Sequence, residues 1–511
     1  MADRETTEPP TTEQVRGSRA LPDWIAAGVT FLASGSVLVL EVVGLRLIAP
    51  YVGITLQTST AVIGFALAAI AIGAWAGGAT ADRTDPRRLI APLLVAGGAL
   101  VVAVLPLVRF AGALLTGAQA GNVLVLAAVA VIVPAALLSA VPPMVVALQL
   151  GTLAETGSVV GRLSGIGTLG GIVATFATGF VLVALLPSSV ILVGTGVLVV
   201  LAGLALAVLL RRRAPEVAGR LPVALLVLAV AAPVLAALAP TPCERETAYH
   251  CARVEADGAT GRVLLLDTLR HSYVDLADPT DLEFEYVRAI ASVTDVLAPA
   301  GAPLSALHLG GGGLTLPRYL AAVRPGTVSR VLEVDPGVVE LDTDELGLQT
   351  SDQLQVRVGD ARVGLQDEPA GERDLVVGDA FGGLSVPWQL TTVEALRLVD
   401  DTLTSDGVYA VNLIDNPPLS FVRAELATLR EVFPEVLLLA RAPVLAGEDG
   451  GNVVAVASRR ALPVEQLAAA LAGHRLAWQV AAGAELTGFI GDAVVLTDDF
   501  APVDQLLTPY G

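Results

Sequence analysis

Three carboxylates and a run of glycines carry the chemistry legible in this sequence. The stretch "SALHLGGGGLTLPRYLAAV", residues 305–323, passes from an apolar run through Gly310, Gly311, Gly312 and Gly313 into an amphipathic helix pattern. A strand, a glycine turn and a helix start let backbone N–H groups approach a nucleotide. Glu333 closes "VSRVLEVD", 23 residues after Gly310, near the ~20 expected for a carboxylate that accepts ribose hydroxyls. Asp360 closes "LQVRVGD", where it can accept from an adenine amino group. Asp379, in "DLVVGDAF", falls beside the reactive end of such a nucleotide, where it can take a proton from an amine or hold a cation. Asp374 begins that same run and should be solvated at the opposite sheet edge. The glycines do not complete G-x-G-x-x-G, since Thr315 stands last; the weight lies in three strand ends together.

The elements that must position these groups follow from the hydrophobic patterning. Residues 245–278 read as short antiparallel strands, a small β platform with a turn at "DGATG". A helix pattern covers 281–297, and β and α then alternate: strand "ALHLG", helix 314–323, strand "VSRVLEVD", helix 336–345, strand "LQVRVGD". This alternation predicts a Rossmann-like parallel sheet with helices on both faces and ligands at the carboxyl ends of its strands.

The chain upstream is of another kind. Residues 1–23 read as a polar, disordered tail. Seven apolar runs follow, at about 24–50, 58–80, 89–109, 122–150, 165–187, 189–210 and 221–240, each near the ~20 residues that cross a bilayer core. "VPPM" at 141–144 should kink the fourth. The expected organisation is therefore a tail at 1–23, an all-α seven-span membrane bundle at 24–241, a β platform with its connecting helix at 242–298, and the Rossmann-like domain at 299–511.

Charge divides the chain in the same place. Residues 1–242 hold 13 of the 31 basic and 10 of the 50 acidic side chains, a net of about +3 against about −22 for the remainder. That acidity excludes nucleic acid as a partner and suits a cationic one. Arg4, Arg16, Arg19, Arg83, Arg87, Arg88, Arg162, Arg211, Arg212, Arg213 and Arg220 gather on one side of the spans, and Arg109 on the other. This bias predicts a multi-pass cell-membrane protein with a cytoplasmic N-terminus, and seven spans then carry the C-terminal domain outside. Cys243 and Cys251, the only cysteines, follow the last span; outside the cell such a pair would form a disulfide, the alternative being two unrelated buried thiols. Glu41, inside the first span, is a membrane polar site, either interhelical or part of a polar pathway; Arg46 should reach the interface. No Cys/His cluster has metal-ligand spacing.

These motifs together resemble the spermidine synthase (polyamine aminopropyltransferase) family, and above all its membrane-fused branch. The resemblance rests on "LHLGGGGLTLPRYL", "VLEVDPGVVELD", "VRVGDARVGL", "DLVVGDAF", "VPWQLTTVEALRLVDDTL", "GVYAVNLID" and "VLTDDFAPVDQLL", with "ASGSVLVLEVVGLRLIAP" and "GAWAGGATADR" in the bundle. It implies decarboxylated S-adenosylmethionine, or a related adenosyl compound, as co-substrate, without metal. Its ribose would lie on Glu333, its adenine near Asp360 and Ala361, and its tail over Gly310–Gly312. Asp379, with Tyr286, would serve an attacking amine such as a polyamine, and the family implies a homodimer. The chain departs from the pattern in four places. The usual second carboxylate is Gly382, the usual Tyr-His-Glu is Tyr286-Val287-Arg288, Arg270 and His271 stand where Gln is usual, and Gly313 replaces an aspartate. His271 reads either as a base or adenosyl contact or as a structural hydrogen-bonder. The alternatives are an inactive synthase-fold domain binding a ligand for a transporter- or sensor-like bundle, and a methyltransferase using the intact cofactor.

Overall fold

The computed structural model describes residues 21–117, 119–150, 155–213, 221–383 and 385–508. Most of the expected tail, residues 1–20, and Arg220 lie outside them. The chain divides after Cys251 into two compact units, about ten residues beyond the expected boundary.

In the first unit the apolar runs form helices α1 (Asp23–Val52), α2 (Leu56–Ala81), α3 (Ile90–Leu114), α4 (Ala120–Ser139), α5 (Val141–Gln149), α6 (Thr156–Ala177), α7 (Ser188–Arg213) and α8 (Val223–Leu238). The fourth run breaks at Ala140, before the "VPP" prolines, as expected. Among the described residues six helices are long and apolar enough to cross a membrane. The seventh expected span, α8, has 16 residues and is about 24 Å long at 1.5 Å per residue. Trp75, Leu114, Phe176, Leu198 and Val230 stand exposed on these helices.

One end of this bundle explains the displaced boundary. Arg46 donates to Ser188 Oγ (3.0 Å) and to the carbonyls of Ala248 (2.7 Å) and Thr247 (2.8 Å). Arg109 reaches the carbonyls of Ala236 and Ala239 and pairs with Glu246 at 3.4 Å, and Ser189 N donates to Glu246. A disulfide joins Cys243 to Cys251. Residues 243–251 thus belong to the bundle. Arg46 lies at the same end as Arg109, both held against residues 236–248. Asp23 and Arg162 pair at 2.9 Å near the starts of α1 and α6. Glu41 is half-buried on α1.

The second unit opens with three antiparallel strands, β1 (Cys251–Asp257), β2 (Gly261–Leu266) and β3 (Leu269–Asp275). Then follow α9 (Glu285–Leu297), β4 (Ser305–Leu309), α10 (Thr315–Val323), β5 (Val328–Glu333), α11 (Pro336–Asp344), β6 (Leu354–Val358), α12 (Ala361–Gln366) and β7 (Arg373–Gly378). The chain continues through α13 (Val393–Thr402), β8 (Leu403–Asp415), α14 (Ser420–Val432), β9 (Glu435–Arg441), β10 (Gly451–Ser458), α15 (Val464–Gly473) and β11 (Trp478–Ala481). The large sheet runs β11-β9-β10-β8-β7-β4-β5-β6. Its β6, β5, β4, β7 and β8 are parallel and the rest antiparallel, so the expected Rossmann-like sheet is mixed.

Buried Leu307, Leu309, Val376 and Leu413 pack one face of this sheet, and Ala306, Leu375, Val377 and Ala410 the other, under Val287 and Ile290 of α9. The platform buries Leu264, Leu266 and Val274 against Val338 and Leu341 of α11. Strand order reverses between β4 and β7, the switch point at which open α/β sheets leave a crevice.

Candidate functional site

The crevice is shaped by backbone first. Gly310 leaves β4 at φ 99°, a conformation L side chains rarely adopt. An ideal Cβ on it would lie 2.3 Å from the Asp379 carbonyl. Gly310 N donates to Leu332 O and Asp379 N to Leu309 O, both at 2.9 Å, so the ends of β5, β4 and β7 are stitched together there. The platform secures the turn from the far side: Gly313 N donates to Ser272 Oγ and Thr315 Oγ1 to Tyr273 O, each at 2.7 Å.

Glu333 ends β5 directly beneath the turn. Gly311 N donates to its Oε2 at 2.7 Å and Asp335 N to its Oε1 at 2.8 Å. Burial raises its pKa while these donors lower it. Gly312 N–H also lowers it, and a carboxylate oxygen with two lone pairs can still accept from a hydroxyl beside one such donor. Asp342 lies behind it, its pKa pushed up to about 8 by burial and by the Glu333 charge. Asp360 is exposed and caps α12, accepting from Arg362 N (2.7 Å) and Val363 N (3.2 Å) through one oxygen. Ala361 is the first residue of that helix.

Asp379 follows β7. Tyr286 OH donates to its Oδ2 at 3.1 Å and Asn412 Nδ2 to its Oδ1 at 2.9 Å. Its surface is open only in part, and burial pushes its pKa up to about 6 against the pull of both donors. The Tyr286 hydroxyl is pushed up by burial and by the Asp379 charge. A carboxylate poised near neutrality in a cleft is matched to proton transfer. Asp374, by contrast, accepts from Ser305 N at 2.9 Å. It is half-buried and bonded at the opposite edge, where plain solvation was expected.

A cleft open to solvent is lined by Tyr286, Asp379 and Gly310–Gly313, with His271, Ser272 and His308. Glu333, Asp360 and Ala361 do not line it, although Glu333 touches it through Gly311. The two arginines at departing positions turn elsewhere. Arg270 binds Glu283 at 2.8 Å and lies 5.6 Å over the Phe284 ring. Arg288 donates to His474 O at 3.4 Å. Gly382 is exposed. No group of three His, Cys, Asp or Glu able to hold a metal converges among the described residues.

Ser272, His308, Asn412 and Asn452, whose Nδ2 donates to Asn412 Oδ1 at 2.9 Å, were not singled out by the sequence reading. His308, Asn412 and Asn452 are polar residues within apolar runs, which is the one signal the sequence offered for them; Ser272, in the polar strand LRHSYVD, carried none.

No family model matches the chain. A polyamine aminopropyltransferase of Vibrio vulnificus (strain CMCP6) is 30% identical over 246 residues, covering 45% of this chain and 78% of that protein. An eEF1A lysine and N-terminal methyltransferase of Bos taurus is 28% identical over 142 residues, covering 26% of this chain and 20% of that protein. Among solved structures, a probable spermidine synthase from Corynebacterium glutamicum ATCC 13032 superposes with a TM-score of 0.47 at 28% identity, covering 52% of this chain and 98% of that one. With 78% of the Vibrio protein matched at that identity, this chain belongs to the polyamine aminopropyltransferase (spermidine synthase) family.

Proposed function

We propose that the chain is a membrane-bound transferase that moves an aminopropyl group from decarboxylated S-adenosylmethionine to an amine. The observation that carries this reading is Asp379: a carboxylate at the switch point, held by Tyr286 and Asn412, and raised to about 6. In the step proposed, the amine nitrogen forms a bond to the aminopropyl carbon beside the sulfonium. The carbon–sulfur bond breaks with its electron pair, methylthioadenosine leaves as a neutral thioether, and the proton of the attacking nitrogen passes to Asp379. Holding nitrogen, carbon and sulfur in line supplies much of the rate.

Glu333 would receive the ribose hydroxyls through its carboxylate oxygens. Asp360, with one oxygen free of its helix cap, would meet the adenine amino group beside Ala361. Gly310–Gly312 would lie against the tail. The outward course of Arg270 and Arg288 supports an amine-accepting cleft, because neither guanidinium lines it. Six long apolar helices with exposed Trp, Phe and Leu side chains support the bilayer as surroundings, and the arginine bias supports a cytoplasmic N-terminus.

The test is turnover by the purified full-length protein. Given decarboxylated S-adenosylmethionine and a panel of amines, it should release methylthioadenosine, and Asp379→Asn should lower kcat by 10²-fold or more. Unchanged turnover in the variant removes Asp379 as base. A wild-type protein that binds the donor and releases nothing is a binding domain instead.

A further inference from the structure

The proposed reaction uses Asp379 and leaves His308 unexplained. His308 sits on β4 with 3% of its surface exposed, lines the cleft, and its Nε2 has no hydrogen-bond partner. Leaving a buried polar atom unpaired is costly, so a nitrogen kept in that state at a cleft wall points to a partner that arrives with the ligand. Burial drives its pKa down to about 3. The ring is therefore neutral, able to exchange a hydrogen bond but not to answer a charge.

The register fixes where this nitrogen stands. His308 pairs with Val377 across β4 and β7, and Asp379 lies two residues beyond Val377. Side chains two apart on a strand share a face, about 7 Å apart along it. Both therefore rise on the α9 side of the sheet, with Val287, Ile290, Leu316 and Val377 lining the same cleft. The arrangement is an anionic anchor, an apolar stretch of a few methylenes, and a neutral hydrogen-bonding anchor.

Charge decides what fits. Among the described residues Asp379 is the one carboxylate in the lining, and position 382, where a second could stand, is glycine. A second ammonium carried to the His308 end would be buried against a neutral ring, a costly arrangement for an unpaired charge.

We propose that His308 determines acceptor specificity, and that the acceptor is an amine with one cationic centre and an uncharged hydrogen-bonding group at its far end, of the amino-alcohol class. This deepens the transfer reading and rests on it for the role of Asp379.

The test uses the detergent-solubilised full chain with methylthioadenosine present. Calorimetry compares 4-aminobutan-1-ol, butylamine and 1,4-diaminobutane on the wild type, His308→Leu and His308→Asn, and turnover is followed with decarboxylated S-adenosylmethionine. The wild type should bind the amino alcohol at least tenfold tighter than either competitor. His308→Leu should erase that preference by raising KM for the amino alcohol relative to butylamine, and His308→Asn should restore part of it. A wild type that prefers the diamine, fails to separate the three, or binds none of them overturns the proposal, as does a His308→Leu variant that keeps the preference. Should that variant not fold, the wild-type ranking and His308→Asn decide. The expected ranking without turnover sinks the transfer reading and leaves the subsite standing; turnover without the ranking does the reverse.

Discussion

Asn412 Nδ2 lies 2.9 Å from Asp379 Oδ1, and this bond fixes which way the proposed base faces. The amide is itself oriented, because its oxygen accepts from Asn452 at 2.9 Å and leaves its NH₂ group for Asp379. A base with a pKa of about 6 predicts kcat/KM rising with pH through that value and levelling above it. The Asn412 bond favours the charged carboxylate, so Asn412→Leu should raise the pKa further. A hydrogen bond to a charged group is worth about 1.5–3 kcal/mol, or roughly one to two pH units, and the acid limb should move up by that much. An unmoved limb would show that the profile belongs to another group.

The same shift has a stability consequence. The folded-state pKa of Asp379 lies above the ordinary 3.8, so its contribution is intact below pH ~4 and is lost as pH rises through about 6. Asp379→Asn keeps a neutral group there at every pH. The variant should match wild type below pH ~4, gain between 4 and 6, and hold its advantage above. That advantage is at most about 3 kcal/mol, less where the cleft admits water. Calorimetric melting of the C-terminal unit across pH 3–8 checks it, and an Asn variant less stable at pH 7 refutes the sign.

Glu333 tests the donor side separately. Its two oxygens take the N–H groups of Gly311 and Asp335. An amide at this position would turn an NH₂ toward one of those donors and lose acceptor capacity for a diol. Glu333→Gln should weaken methylthioadenosine binding by about 10–100-fold, the loss expected of a charged hydrogen bond. Titration calorimetry reads this directly, with the binding of 2′,3′-dideoxy analogues as the control that should not change.

What the sequence disclosed, and what it did not, follows from the range of the interactions. Glu333, Asp379 and the glycine run were legible because a strand end, a turn and a helix start are local features. Tyr286 came only through family resemblance, since its bond to Asp379 spans 93 residues. Ser272, Asn412 and Asn452 were missed for the same reason: their roles exist only once β3, β8 and β10 are brought beside the turn and β7. The fate of Arg270 and Arg288 was equally hidden, because residue type says nothing of whether a guanidinium faces a cleft or a neighbouring glutamate. In the bundle, composition revealed the apolar runs but not that residues 243–251 are held by Arg46 and Arg109.

Gly310 tests the framework itself. At φ 99° with a Cβ 2.3 Å from the Asp379 carbonyl, an alanine must move the turn, the end of β7, or both. Gly310→Ala should abolish methylthioadenosine binding and transfer together, whereas Asp379→Asn should spare binding. Preserved donor affinity in the alanine variant would mean that the turn does not hold the donor.

The final prediction concerns sidedness. The segment 243–251 is fastened at the Arg46–Arg109 end of the bundle, and the Asp23–Arg162 pair joins the starts of α1 and α6. Arg109 binds the last carbonyls of α8, so that short helix delivers the chain to the end that is poor in arginine. With the arginine-rich end in the cytoplasm, the Cys243–Cys251 disulfide faces the oxidising side, where such bonds persist. A membrane-impermeant thiol reagent should then label intact cells only after reduction. Free thiols that label only after lysis would reverse the orientation and put the cleft beside the cytoplasmic supply of adenosyl donor. The expected labelling carries its own demand: a donor made inside the cell must reach a cleft outside it. Cells given external decarboxylated S-adenosylmethionine should then release methylthioadenosine into the medium in a manner that Asp379→Asn abolishes.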